Sequence, residues 1–235
     1  FTSPPRCRSA PFFSEDTAAT GIYTLALHYA LPILPLLVLL LMSSSMVVAK
    51  DYDEGIDYNK LAKQQTTDSG NKIEVLEFFW YGCPHCYQFE PTLSKWLKNK
   101  PANVSFIRIP APLNPNWMVH TKAYYALELM GKGEDFHEDM FKAMHEKKMR
   151  LNTKDAIADF LATKGVDKKA FKDSFDSFAV EMRARKAMQL SRDYKLNGVP
   201  LLAVNGKYTV SASQAGGYKQ MIDITKHLIK KETKK

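Results

Sequence analysis

Two thiols stand three residues apart in CPHC, Cys83 to Cys86, after the apolar run IEVLEFFWY and a glycine, Gly82. On a helix, residues i and i+3 share a face and approach closely enough to close a disulfide. The first thiol falls where a helix presents backbone N–H groups without intrahelical partners and the positive end of its dipole. Both stabilise a thiolate, and His85, when protonated, adds to the effect. Pro84 suits the first helical turn, where its missing N–H costs nothing. A thiolate favoured at Cys83 favours the dithiol over the disulfide, so the closed pair is easily reduced and acts as an oxidant. A depression of the thiol pKa by two or three would bias the couple by roughly 3–4 kcal/mol, on the order of 60–90 mV.

Competing chemistries fit less well. Zinc wants four ligands, and the sequence has no second C-x-x-C. His120, His137, His145 and His227 lack finger-like spacing, and the i, i+8 pair His137 and His145 reads as a solvated helix face. A structural disulfide spanning two residues would close too small a loop to add much stability. Redox chemistry is the reading that remains. Glu77, six residues before Cys83, sits beside Phe78, Phe79 and Trp80. These read as two-sided core, so Glu77 is expected to be buried, the alternative being a solvent-facing position.

The elements that must position this pair come from a chain of 235 residues with 45% hydrophobic and 25% charged residues. That composition excludes collagen, low complexity, a disulfide-dense miniprotein and wholesale disorder. The net charge of +8 and the KKETKK tail raise nucleic-acid binding as a rival from another class, but no recognition motif accompanies them. Residues 31–42, LPILPLLVLLLM, have the length of a signal-peptide core, and SSSMVVA suits cleavage after Ala49. The alternative, an uncleaved anchor over 31–49, is weakened by Pro32, Pro35 and three serines. The first Met is Met42, and TGIYTLALHYALPI resembles translated adapter sequence, so 1–30 is expected not to be native. An exported chain places Cys83 and Cys86 in an oxidising compartment.

Residues 51–72 are polar, with one short strand expected near 56–61. Residues 73–81 read as a buried central strand and 103–110 as a second. Between them, 83–100 carries Phe89, Leu93, Trp96 and Leu97 at helical spacing, with Pro91 expected to kink the helix. Helices are expected at 117–130, 134–147, 153–164, 168–177 and 179–195, capped at Asn152 or Thr153 and at Asp167. Strands at 199–204 and 207–210 flank Asn205-Gly206, a strong hairpin signal. A helix at 217–231 closes the chain, with Met221, Ile222, Ile224, Leu228 and Ile229 inward. The result is an α/β core interrupted by a helical block too long to be a loop. The expected organisation is a leader at 1–49, an α/β part at 50–115, a helical insertion at 116–197 and a second α/β part at 198–235.

EFFWYGCPHCYQFEP, together with GVP at 198–200 and VNGKY at 204–208, resembles the DsbA family of periplasmic thiol:disulfide oxidoreductases in the thioredoxin superfamily. The likeness runs over 55–232. It implies a thioredoxin-like α/β fold with an inserted all-helical subdomain. It also implies that Cys83 is the exposed attacking sulfur, Cys86 the buried resolving one, and Pro84 and His85 the dipeptide that tunes them. Val199-Pro200 would be the Val–cis-Pro loop facing the pair, with the Val199 backbone pairing with an extended client. Glu77 would handle the Cys86 proton, with Arg108 as its ion-pair partner.

No metal or organic cofactor is implied beyond the Cys83–Cys86 disulfide. The implied partners are unfolded or newly exported cysteine-containing proteins and a DsbB-type membrane quinone reductase as reoxidant. The protein would be a monomer in the periplasm of a Gram-negative bacterium, without nucleic acid. Trp80, Tyr81, Trp117 and Leu201 are expected to form an apolar apron for unfolded chains, the alternative being that Trp117 is core. A reductase or isomerase on the same fold is the alternative function. Isomerases of the DsbC kind carry a dimerisation domain, for which this sequence offers no spare segment.

Overall fold

The computed structural model describes residues 51–233. The expected leader at 1–49 and its expected cleavage site, with Cys7, lie outside the described residues. Five strands form one mixed sheet: β1 (Asn59–Lys60), β2 (Ile73–Phe79), β3 (Val104–Pro110), β4 (Leu201–Val204) and β5 (Tyr208–Ser211), in the order β1-β5-β4-β2-β3. The β-branched and aromatic run becomes β2, buried along its whole length because both faces are covered. Helix α1 (Pro84–Leu97) connects β2 to the parallel β3. It runs through Pro91 and turns Phe89, Leu93 and Trp96 into the core.

Between β3 and β4 stand a 3-10 turn (Pro115–Trp117) and five helices: α2 (Met118–Leu129), α3 (Gly133–His145), α4 (Lys154–Ala162), α5 (Lys168–Phe175) and α6 (Phe178–Asp193). Thr153 and Asp167 cap α4 and α5, each accepting from the third backbone N–H beyond it. Ser177 does the same for α6. The hairpin joining β4 to β5 has Asn205 at φ 52° and Gly206 at φ 66°, the left-handed pair that lets two residues reverse a twisted ribbon. Gly206 has a second constraint: a Cβ there would fall 2.2 Å from the Gln65 carbonyl.

Helix α7 (Ala212–Ala215), one short turn, was not evident from the sequence. It starts at the Ser211 cap and ends at Gly216, φ 83°. Helix α8 (Tyr218–Thr233) buries Met221, Ile222, Ile224, Leu228 and Ile229 as expected. The expected strands were too long at their ends: Trp80 and Tyr81 leave β2 for a turn, and Val199 and Pro200 stay outside β4. Ile73 and Val75 pack with α1 and α8, whereas Leu76 and Phe78 belong to the cluster that extends into the helical insertion. One sheet face thus carries α1 and α8 and the other the insertion, and the turn at 80–83 lies where they meet.

Candidate active site

The sequence turns from strand to helix within four residues. The Cys83 N–H closes a turn onto the Trp80 carbonyl at 2.9 Å, and the Tyr87 N–H starts the helical ladder on the Cys83 carbonyl at 3.1 Å. Cys83 is therefore the N-cap of α1, with Pro84 in the first turn. Both cysteines are free thiols. Cys86 is wholly buried, and Cys83 keeps only 8% of its surface, a narrower opening than the exposed sulfur expected. The Cys83 thiol donates to the Val199 carbonyl at 3.4 Å across 116 positions of chain. The Val199–Pro200 bond is cis.

The electrostatics divide the pair. A hydrogen bond from the Cys86 thiol holds the Cys83 pKa down to about 6, against burial, helped by the backbone N–H groups of Cys86 and His85 and by the His85 charge. Cys86 moves the other way: burial pushes it well above the ordinary thiol value, and its bond to Cys83 and the charge of Glu77 add to this. One thiol is prepared to be an anion at neutral pH and its neighbour to keep its proton. His85 is exposed, with Nδ1 3.2 Å from the Tyr218 hydroxyl. That hydroxyl donates to Gln88 at 3.2 Å, so His85 is the donor to Tyr218.

Glu77 is fully buried, as expected, and sits directly beside Arg108 in the parallel β2–β3 register. Arg108 Nε lies 3.2 Å from Glu77 Oε2, not aligned for a hydrogen bond. The same guanidinium reaches Glu90 at 3.6 Å and Glu134 at 2.7 Å. One cation thus faces three carboxylates. Burial, then the charge of Glu90, raise the Glu77 pKa well above the usual carboxylate range, and Arg108 offsets this only in part.

The apron is corrected. Tyr81 is 1% exposed and Leu201 is buried, so both are core. Trp80 and Trp117 remain half-buried and stack at 4.1 Å with 7° between planes. Trp80 lies over Gly82, where a Cβ would come within 2.3 Å of the indole. Gly82→Ala is therefore expected to push Trp80 off Trp117 and to destabilise the fold by about 1–3 kcal/mol, read by tryptophan fluorescence during denaturation.

The reading of His137 and His145 as a solvated face is also overturned. His137 is 4% exposed, and both reach the turn before Cys83. A signal was present: His137 shares a helical stripe with Met140, Phe141 and Met144. Tyr218 and Glu90 were missed with no comparable cue. Among the described residues, no group of three or more His, Cys, Asp or Glu is placed to hold a metal ion.

A dithiol at a helix N-terminus, its outer sulfur facing the carbonyl of a residue that precedes a cis-proline, defines the class: a thioredoxin-like thiol:disulfide oxidoreductase. Residues 74–223 match the family model described as a DSBA-like thioredoxin domain. The chain is 43% identical over 184 residues to the thiol:disulfide interchange protein DsbA of Pseudomonas aeruginosa, covering 78% of this chain and 87% of that protein. It is 39% identical to the protein of the same name from Pseudomonas syringae pv. tomato, covering 82% and 90%. The crystal structure of Pseudomonas aeruginosa DsbA superposes with a TM-score of 0.75 at 43% identity, covering 78% and 95%. Oxidoreductase DsbA from Xylella fastidiosa gives 0.74 at 30% identity, covering 78% and 99%. The chain belongs to the DsbA family.

Proposed function

We propose that the protein oxidises cysteine pairs in newly exported polypeptides, donating its Cys83–Cys86 disulfide through a mixed disulfide. A client thiolate attacks the Cys83 sulfur, the internal S–S bond breaks, and Cys86 leaves and takes a proton. A second client thiolate then attacks the client sulfur of the mixed disulfide and releases Cys83 as a thiolate. The client gains a disulfide and the protein gains two electrons. Cys83 is the sulfur attacked and Cys86 the leaving group. Pro84 and His85 shape the N-terminus that stabilises the anion, and Glu77 supplies the proton to Cys86. Val199, at the cis bond to Pro200, offers its backbone to an extended client. A groove of roughly 700 Å³ runs beside it, lined in part by His85, Val199 and Pro200.

The observation that carries this reading is the placement of Cys83 at the N-terminus of α1, 3.4 Å from the Val199 carbonyl and beside the wholly buried Cys86, an arrangement that holds the Cys83 pKa down to about 6 and Cys86 up. A couple built that way favours its dithiol form and so oxidises others. The proposed location is the periplasm of a Gram-negative bacterium, supported by the family and by the apolar core at 31–42. A quinone-linked membrane protein of the DsbB type is the proposed reoxidant and a monomer the proposed working state. The proposed subdomain division is a helical insertion at 116–197 between α/β parts at 50–115 and 198–235.

The test is equilibration with glutathione, coupled to oxidation of a reduced, unfolded client. An oxidant is expected to sit mostly as dithiol at glutathione ratios where an ordinary protein disulfide persists, and to form client disulfides stoichiometrically. A couple that stays closed under those conditions would instead identify the reductase of the same fold.

A further inference from the structure

Three histidines of the helical insertion converge on the two residues that lead into Gly82 and Cys83. His120, on α2, accepts from the Trp80 indole N–H at its Nδ1, 2.8 Å away, so its proton lies on Nε2 and is donated to the Leu151 carbonyl at 2.8 Å. His137, on α3, lies with Nδ1 3.1 Å from the Tyr81 hydroxyl and Nε2 3.2 Å from the Glu90 carboxylate. A carboxylate only accepts, so Nε2 carries the proton and Tyr81 donates to Nδ1. His145, at the end of α3, donates from Nε2 to the Tyr81 carbonyl at 2.8 Å. Its ring stacks on Tyr87 of α1 at 5.0 Å with 5° between planes.

We propose that His120, His137 and His145 are positioning residues that lock Trp80 and Tyr81, and through them fix the conformation in which Cys83 is presented as a thiolate. The inference rests on Cys83 being the attacking sulfur. The turn needs such a lock. Gly82 carries no side chain to restrict its backbone, and a rotation of the Tyr81–Gly82 peptide would swing Cys83 away from the N–H groups of His85 and Cys86. Resisting that rotation is the hydrogen bond that fixes the Tyr81 carbonyl, an acceptor in a buried turn that must find a donor. His145 supplies it. His137 fixes the far end of the same side chain, and His120 holds the indole that covers Gly82. The helical insertion thereby reaches the reacting sulfur without touching it.

His145 is the informative position because it is half-buried and its loss should leave the fold intact. His145→Leu removes the donor, and His145→Gln restores an N–H. The readouts are the pH midpoint of Cys83 alkylation and kcat/KM for client oxidation, with Tm as control. For His145→Leu the midpoint is expected to rise from about 6 by roughly half to one pH unit, and kcat/KM to fall about five- to tenfold. Tm should change little, and His145→Gln should recover most of the loss. An unchanged midpoint and kcat/KM in His145→Leu overturns the inference. So does a His145→Gln variant as impaired as His145→Leu, since ring stacking would then be what matters. Wild-type protein run alongside reports on the underlying reading: if its Cys83 titrates as an ordinary thiol, both fall.

Discussion

Client oxidation by the Cys83→Ser variant is expected to fall to the uncatalysed rate. A hydroxyl forms no mixed disulfide, and the other thiol of the pair, Cys86, is buried. Cys86→Ser is also expected to stop turnover, because it removes the internal disulfide. Its Cys83 thiolate can still attack a client disulfide, one client sulfur leaving as a thiolate, and without Cys86 to resolve it that mixed disulfide persists. Oxidation surviving in Cys83→Ser would move the nucleophile elsewhere. In the wild type, alkylation of Cys83 should titrate at about 6 against 9.0 for an ordinary thiol. At neutral pH about 90% of Cys83 would be thiolate, where an ordinary thiol would be about 1%. The same displacement acts on stability. The folded value is depressed, so its contribution is complete above 9.0 and is lost as pH falls through about 6. At neutral pH it favours the folded dithiol form by about 1.4 kcal/mol. The gap in stability between reduced and oxidised protein should therefore widen with pH across that window, as denaturation of the two forms would show.

Removing the cation beneath the site has the second large effect. Arg108→Met leaves Glu77 and Glu90 close together without compensation, and breaking such a buried arrangement costs about 3–5 kcal/mol. Glu134 contributes less, because its side chain is largely in water. The loss should be smaller in mild acid, where Glu77, its pKa raised by burial, is protonated, and denaturation at two pH values would check both size and sign. Glu77→Gln behaves differently. The folded value of Glu77 is raised, so the unfolded chain ionises first and this group costs stability as pH rises above 4.5. Its replacement is expected to stabilise the protein at neutral pH while slowing departure of Cys86. Equal destabilisation by both variants would show that the carboxylate is held charged.

Much of this was legible in the letters. The run at 73–81 read as a buried strand, two residues too long at its end, CPHC marked a helix start, and Asn205-Gly206 marked a hairpin. Helix termini with His85 gave the direction of the Cys83 shift, though not its leading cause, the hydrogen bond from Cys86. Glu77 was legible as a buried charge because apolar neighbours flank it. What failed shares a cause: groups whose partners come from distant elements. His137 looked polar and was placed in water, yet Glu90 and Tyr81, brought in by α1 and the turn, satisfy both ring nitrogens. Tyr81 and Leu201 looked like surface for an unfolded client, yet the insertion covers them. Tyr218 reaches His85 only because α8 packs along α1. Periodicity reports which face of an element is apolar and is silent on what crosses the space between elements.

The order of the strands bears on how the protein matures. β4 hydrogen-bonds to β2 at the centre of the sheet, yet it is made after the whole insertion, and Val199 follows Cys83 by 116 positions. As the chain is made, the two thiols arrive early, just after β2, whose edge toward β4 is still open. Until about the last sixth of the polypeptide is made, the carbonyl that faces Cys83 is missing. The face opposite Cys83 is therefore complete only once the final hairpin has paired beside β2. Non-local pairing of that kind is slow, so the site is among the last parts of the fold to close.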